Sequence, residues 1–278
     1  MKKIWIDDTE YLVPSGWNEC TPEQVSNGMT LSLYIQENTD KKLLANYWVG
    51  LLKVMLADVP DETFYNLSGD QVYRLRPLIR WAIKDRITKK PFEFFELDEV
   101  KYYLPAENFA DTTCIEMAMA SIYYLAYTRK ENPDMNAVLL LVATLCRPQR
   151  RDVKEFRLSK DWNGDIREEF NTILIESRSF KKLSIGTVMA VLQYYEYMQG
   201  QFTQRYKDDY AADESGEPPL FPNGDGILAL FEEVAESGTH GTFRDVCLNN
   251  AHTIFMYIRH KLVLNRARAK AQADQEDE

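Results

Sequence analysis

Histidine, paired cysteines and glycine-rich loops are scarce or missing in this chain of 278 residues, and each shortage removes a class of chemistry. The three histidines, His240, His252 and His260, lie near one end with no serine or cysteine motif beside them, so no histidine-driven nucleophile is indicated. His252 and His260 stand eight apart on one predicted helix, too far to share a metal as an i, i+4 pair does. They read as surface or interface residues. Cys20, Cys114, Cys146 and Cys247 are scattered without a CxxC pair, which argues against a zinc site or a redox dithiol and reads as small core residues in a reducing compartment. Neither a GxxxxGKS/T loop nor GxGxxG occurs to cradle a phosphate. Long apolar runs are missing too: AVLLLVATLC, from Ala137 to Cys146, is too short to span a bilayer and ends in RPQRR, so it reads as a buried core helix. Asp7 and Asp8 interrupt MKKIWIDDTEYLVP before an apolar run of export-signal length, so secretion by that route is not expected. A basic excess is lacking as well, since the formal charge is −10 and the isoelectric point about 5.0, which argues against nucleic acid as the main partner. The chain therefore reads as non-enzymatic, with no cofactor and no metal.

What remains is an ordinary globular composition, 45% hydrophobic and 12% aromatic, sufficient for one large domain or two closely packed ones. The pattern predicts a mainly α, multi-helix protein. Ile4 and Ile6 alternate with Trp5, and Tyr11 and Val13 with Leu12, on either side of a turn-forming Asp-Asp-Thr, which predicts an N-terminal hairpin. A second hairpin is predicted near 92–104, in PFEFFELDEVKYYLP. Thr21 with Pro22 and Gln24, and Ser68 with Gln71, carry the capping signals of two helices, and Pro77 predicts a kink or restart in the second. Leu44, Tyr47, Trp48, Leu51, Leu52 and Met55 make one helical face between them. A helix from Thr113, with Glu116 at the capping-box position, turns Ile115, Met119, Ile122 and Ala126 inward and pairs with the apolar helix that follows KENPD. Ser184 caps a helix with the stripe Val188, Val191, Tyr195, Met198 and Phe202. One last helix from Thr242 carries Cys247, Ala251, Ile254, Ile258 and Leu262 and fades into RARAKAQADQEDE. The acid-, glycine- and proline-rich stretch 207–226 lacks periodicity and predicts an exposed linker between a main domain, 1–206, and a C-terminal helical segment, 227–278.

Two constellations stand out. Arg147, Arg150, Arg151, Lys154 and Arg157 crowd eleven residues just past the apolar helix, where a helix dipole favours cations; they also suit a docking patch for an acidic partner or, as the lesser alternative, a DNA-binding surface. In WNGDIREEFN, residues 162–171, a turn at Gly164 and Asp165 lies between Trp162 and Phe170, whose rings suit burial against helices. Arg167 is placed to pair with Asp165 or with a helix C-terminus, and the five residues read as a clasp between helices. The acid runs FEFFELDE and DDYAADE read as solvated faces or loops, and NGDG at 223–226 as a turn.

The order LCRP (145–148), WNGDIREEFN, VLQYYEYMQGQF (191–202) and ILALFEEVAESGTHGTFRDV (227–246), with GWNECTPEQ near the start, resembles poorly characterised tail-assembly proteins of tailed phages and prophages of Bacteroidetes-type hosts. The resemblance implies a protein of phage tail morphogenesis acting by protein contact in the host cytoplasm. It further implies a tail-assembly chaperone whose partner is the tape-measure protein, or else a tail or connector protein retained in the virion; it is compatible with a homo-oligomer and implies no membrane. For the chaperone, Val188, Val191, Tyr195, Met198 and Phe202 with Ala251, Ile254 and Ile258 are the stripes that could receive an amphipathic helix, although such stripes are more often core.

Overall fold

Period-two alternation at the N-terminus becomes a hairpin. Strand β1 (Lys2–Ile6) pairs antiparallel with β2 (Thr9–Val13), and Ile4, Ile6 and Val13 turn inward while Trp5 faces solvent. Asp7 and Asp8 close it at positive φ, the turn geometry that follows the twist of the strands. The computed structural model describes every residue except 161, 163, 179, 207–220, 222 and 277–278, and the side chains of 177, 270 and 273–276 are not included. Among the described residues the chain is mainly helical, and it divides into two compact units, Met1–Leu104 with Ser179–Tyr197, and Pro105–Arg178 with Met198–Glu278.

In the first unit, Thr21 opens α1 (Pro22–Glu37) through a reciprocal capping box with Gln24. The Gln24 amide also donates to the Val54 carbonyl at 3.2 Å, which ties that cap to α2 (Lys41–Met55). These two helices bury Val25 and Met29 with Leu51, Leu52 and Met55. After α3 (Asp61–Tyr65), Ser68 and Gln71 form the second predicted box at the start of α4 (Gly69–Leu75). Pro77 does end that helix: a 3-10 turn, Arg76–Ile79, leads into the short α5 (Trp81–Lys84). The second hairpin pairs β3 (Phe94–Leu97) with β4 (Val100–Tyr103), and Phe95 and Tyr102 stack on its buried face 5.5 Å apart.

In the second unit, α6 (Cys114–Thr128) and α7 (Ala137–Leu145) form the predicted pair. The fully buried face of α6 is Cys114, Met117, Ala118 and Ala120; the expected Ile115, Met119, Ile122 and Ala126 are only half-buried. The difference arises because α6 is covered on several sides, by α7 and by the C-terminal helices, rather than along one stripe. Two short helices, α8 (Val153–Arg157) and α9 (Thr172–Ser177), precede the long α10 (Ile185–Tyr206), whose first turn Ser184 caps by accepting from Thr187 N at 3.1 Å. The C-terminal part is α11 (Gly226–Glu236), α12 (Phe243–Leu248) and α13 (Ala251–Glu276). The single last helix expected from Thr242 is thus two. Asn249 and Asn250 leave the helix so that Asn249 O accepts from Cys114 N and Ala251 N donates to Thr112 O, both at 3.0 Å. Phe109, Phe202, Phe231 and Phe255 meet edge to face in the interior of this unit.

The expected segment 227–278 is therefore part of the second unit, packed on α6, and the division does not fall at 207–226. Residues 207–220, with DDYAADE among them, lie outside the described residues. The division passes within α10 instead, where an unbroken helical period gives no compositional sign of it.

One close approach in the first unit requires glycine. A Cβ on Gly186 would collide with the Ser26 carbonyl oxygen and lie 2.5 Å from Thr30 Oγ1. Gly186→Ala is expected to lower stability by about 2–3 kcal/mol, read from the urea midpoint, because backbone rather than a flexible side chain must yield.

Candidate functional site

Four charged side chains are buried together in the second unit. Arg147 follows the end of α7, Glu116 sits in the first turn of α6, and Asp165 and Arg167 belong to the loop after α8. Arg147, Arg167 and Glu116 are 1% exposed and Asp165 is 5% exposed. Thr113 caps α6 by accepting from Glu116 N, yet the Glu116 carboxylate does not complete the expected box. It turns inward instead. Its Oε1 accepts from Arg147 Nη2 at 2.7 Å and its Oε2 from Arg167 Nη2 at 3.3 Å. Asp165 Oδ1 accepts from both the backbone N and the Nε of Arg167, at 2.8 and 2.6 Å, and its Oδ2 accepts from Arg147 Nη2 at 3.0 Å.

The same guanidinium groups finish α7. Arg167 Nη1 donates to the Leu145 carbonyl at 2.6 Å, and Arg147 Nη1 donates to the Thr144 carbonyl, so two carbonyls at the end of the helix receive charged donors. Only arginine has enough fixed donors to serve a helix end and two carboxylates at once. Arg147 Nε also donates to Glu168 O at 2.7 Å, and the segments 147–150 and 165–168 run antiparallel, with Arg150 N donating to Ile166 O and Glu168 N to Pro148 O. Gly164, at φ +92°, makes the entry into this turn, a conformation that a side chain would strain.

These contacts relocate the sequence reading of 162–170. The buried elements are the charges, Asp165 and Arg167, whereas Trp162 is 36% exposed and Phe170 half-buried. Trp162 rests edge-on against Phe156, 5.5 Å between ring centres. Arg167 makes both of its anticipated kinds of contact, Asp165 and a helix C-terminus. The basic cluster divides in the same way. Arg147 is interior; Arg150 is half-buried, forked onto Asp152 at 2.7 and 3.0 Å and laid over the Phe156 ring; Arg151, Lys154 and Arg157 are exposed. The apolar stripes are interior as well: Val188, Val191, Tyr195, Met198 and Phe202 are 6% exposed or less, and Ala251, Ile254 and Ile258 are 8% or less. They fill the chain's own core rather than line an open groove. Glu116 was hidden from sequence reasoning because its spacing from Thr113 fits a cap; the available signal was two arginines, in LCRP and GDIR, next to helices too apolar to hold them unpaired.

Burial pushes the Glu116 carboxyl above the ordinary carboxylate range, against the pull of Arg147 and Arg167. Burial acts to lower Arg167, but Asp165, Asp111 and Glu116 overcome it and hold that guanidinium above its ordinary value. The ionised form of Glu116 matches the geometry, since each of its oxygens accepts from a guanidinium.

Over this network the second unit opens into a cleft of about 900 Å3. Its lining includes six carboxylates, Glu116, Asp152, Glu155, Asp165, Glu169 and Asp245, against three basic side chains, Arg150, Lys160 and Arg167. The first unit carries a smaller hollow of about 390 Å3 along α1 and α2, lined by Leu31, Val49, Gly50, Val54, Phe64 and Tyr65 among others. There Phe64 is buried and Tyr65 is 71% exposed. His252 is held between Tyr206 OH at 3.0 Å and the Asn108 carbonyl at 2.6 Å, and His240 packs edge-on against Tyr257. No group of three or more histidine, cysteine or acidic side chains is placed to hold a metal ion among the described residues, and no helix among them is long and apolar enough to cross a membrane. No protein-family model, no curated protein and no solved structure matches the chain.

Removing one partner from a buried ionic network leaves an uncompensated charge, which costs far more than a surface pair contributes. Arg147→Met and Arg167→Met are each expected to lose roughly 3–5 kcal/mol in urea unfolding, because the buried carboxylates of Glu116 and Asp165 are left short of a cation. Arg151→Lys, an exposed control, is expected to stay within about 0.5 kcal/mol of the parent. Glu116 supplies a second test. A raised folded-state pKa means that the folded chain binds this proton more tightly than the unfolded chain, so stability from this group is present at low pH and lost as pH rises through the raised value. Glu116→Gln cannot titrate there. The stability of the parent relative to that variant is expected to rise as pH falls toward the ordinary carboxylate range, and a fall in that difference instead would contradict the assignment.

Proposed function

We propose that this chain is a non-enzymatic protein of phage tail morphogenesis that acts as a tail-assembly chaperone, holding amphipathic helices of the tape-measure protein before the tail encloses them. The observation that supports this reading is the hollow along α1 and α2 in the first unit. It is bounded by the apolar side chains of Leu31, Val49 and Val54 with the Phe64 and Tyr65 rings, and Gly50 lines it as well. An amphipathic helix recognised through anchors at i, i+3 and i+4 needs a surface of this kind, apolar and flanked by polar groups such as Lys53 and Asn27. The interior stripes of α10 and α13 are spent on the fold, so the receiving surface moves from them to this hollow.

The resemblance to phage tail proteins adds a second support. Its motif residues Arg147, Asp165 and Arg167 belong to the buried network, so what the motif carries is the folding of the second unit rather than a contact residue.

The test is affinity capture from phage-infected or prophage-induced cells, together with mass spectrometry of purified virions. The tape-measure protein is expected in the captured material and this chain is expected to be missing from virions. Tyr65→Glu, at an exposed ring, is expected to abolish capture while the helical circular dichroism stays that of the parent. Retention in virions at a fixed stoichiometry would make the protein a structural component instead.

A further inference from the structure

One stretch of the first unit carries charge of the sign that the chain as a whole lacks. Residues 73–90, YRLRPLIRWAIKDRITKK, hold seven arginines and lysines against one carboxylate, Asp85, so the formal charge of −10 is +6 here and −16 over the remainder. The backbone stays helical through most of it, from α4 through the 3-10 turn Arg76–Ile79 to the end of α5 at Lys84. Burial follows the helical period. Ile79 and Ala82 face inward, whereas Tyr73, Pro77, Arg80 and Lys84, at steps of four, three and four, are exposed, the Tyr73 ring by 70%.

Three of the seven cations are engaged within the chain: Arg74 with Asp70, Arg86 with Glu196 and Lys90 with Glu93. No carboxylate among the described residues pairs with Arg76, Arg80, Lys84 or Lys89. The half-buried Arg76 lies over the Trp48 ring, 5.8 Å from its centre, and its Nε has no hydrogen-bond partner among the described residues. That contact orders the guanidinium without neutralising it. The row from Tyr73 to Lys84 is roughly 17 Å long at 1.5 Å per residue. A protein partner needs an apolar centre to its contact, and the exposed apolar residues of this face are Tyr73 and Pro77. A row of unneutralised cations beside an open ring suits a chain of phosphates whose bases stack.

We propose that this face binds single-stranded nucleic acid without reading its sequence. Arg76, Arg80, Lys84 and Lys89 take the phosphates, and the Tyr73 ring takes a base. The acidic remainder of the chain repels a polyanion, so binding is confined to this row and falls steeply with salt. The inference is independent of the tape-measure reading, which rests on the hollow along α1 and α2.

Fluorescence anisotropy of the full chain with a labelled single-stranded thymidine oligomer, across a salt series, tests it. The parent is expected to bind at low salt, with log affinity falling against log salt at a slope of about −2 to −3, about 0.7 for each phosphate neutralised. Arg80→Gln with Lys84→Gln is expected to weaken binding about tenfold or more and to flatten the slope by about 1 to 1.5. Tyr73→Ala is expected to weaken binding about tenfold and to leave the slope unchanged. These positions are exposed, so circular dichroism stays that of the parent. Arg151→Gln with Lys154→Gln, in the exposed cluster after α7, is expected to bind as the parent does. A parent that does not bind at low salt overturns the proposal, as does binding that the Arg80 and Lys84 variant leaves intact or that the Arg151 and Lys154 variant abolishes. Equal binding of duplex DNA with no response to Tyr73→Ala overturns the assignment to a single strand. A chain that ignores the oligomer and binds polyglutamate through Arg80 and Lys84 assigns the row to an acidic protein and overturns it as well. Capture of the tape-measure protein by a chain that does not bind the oligomer sinks this inference alone; oligomer binding without such capture sinks only the chaperone reading.

Discussion

The second unit depends on two arginines taken completely out of water. Each guanidinium is costly to bury, and the cost is met only because Glu116, Asp165 and the last carbonyls of α7 converge on the pair with hydrogen-bond geometry. Such a network is weak as a source of net stability and strong as a specification, since any other arrangement of these segments strands a charge. It fixes at one point the start of α6, the end of α7, the loop 165–168 and, through Asp111, the segment before α6. The cleft lies over that point, so its walls are held by interactions that solvent does not screen.

Local rules written in a few adjacent residues were fully legible. The capping boxes of Thr21, Ser68 and Thr242, the break at Pro77, and the two hairpins follow from side chains that satisfy neighbours within a few positions. Tertiary competition erased other signals. Glu116 has the spacing of a cap, yet two buried guanidiniums outbid a backbone N–H for its carboxylate. The stripe of α13 reads as continuous with α12, yet the bridge from Asn249 and Asn250 to the start of α6 breaks the helix between them. Of the candidate site, the turn at Gly164 and the pairing of Asp165 with Arg167 were legible from WNGDIREEFN, while the expected burial of Trp162 was not, because the charges rather than the ring occupy the interior.

Charge is distributed with the same economy. Of the crowded basic residues after α7, one is structural, one is folded onto its own aspartate and a phenylalanine ring, and three remain on the surface. Of the carboxylates that line the cleft, Glu116 and Asp165 are held by Arg147 and Arg167, and Asp152 by Arg150. The apolar stripes of α10 and α13 are spent on holding the interior together.

The measurement that tests this account most directly is a double-mutant cycle on Glu116→Ala and Arg167→Ala in urea unfolding. The account predicts strong coupling, with the double variant recovering about 1–3 kcal/mol relative to the sum of the single losses, since removing both partners no longer strands a buried charge. Strictly additive losses would contradict it, and would mean that the network is not what brings these segments together.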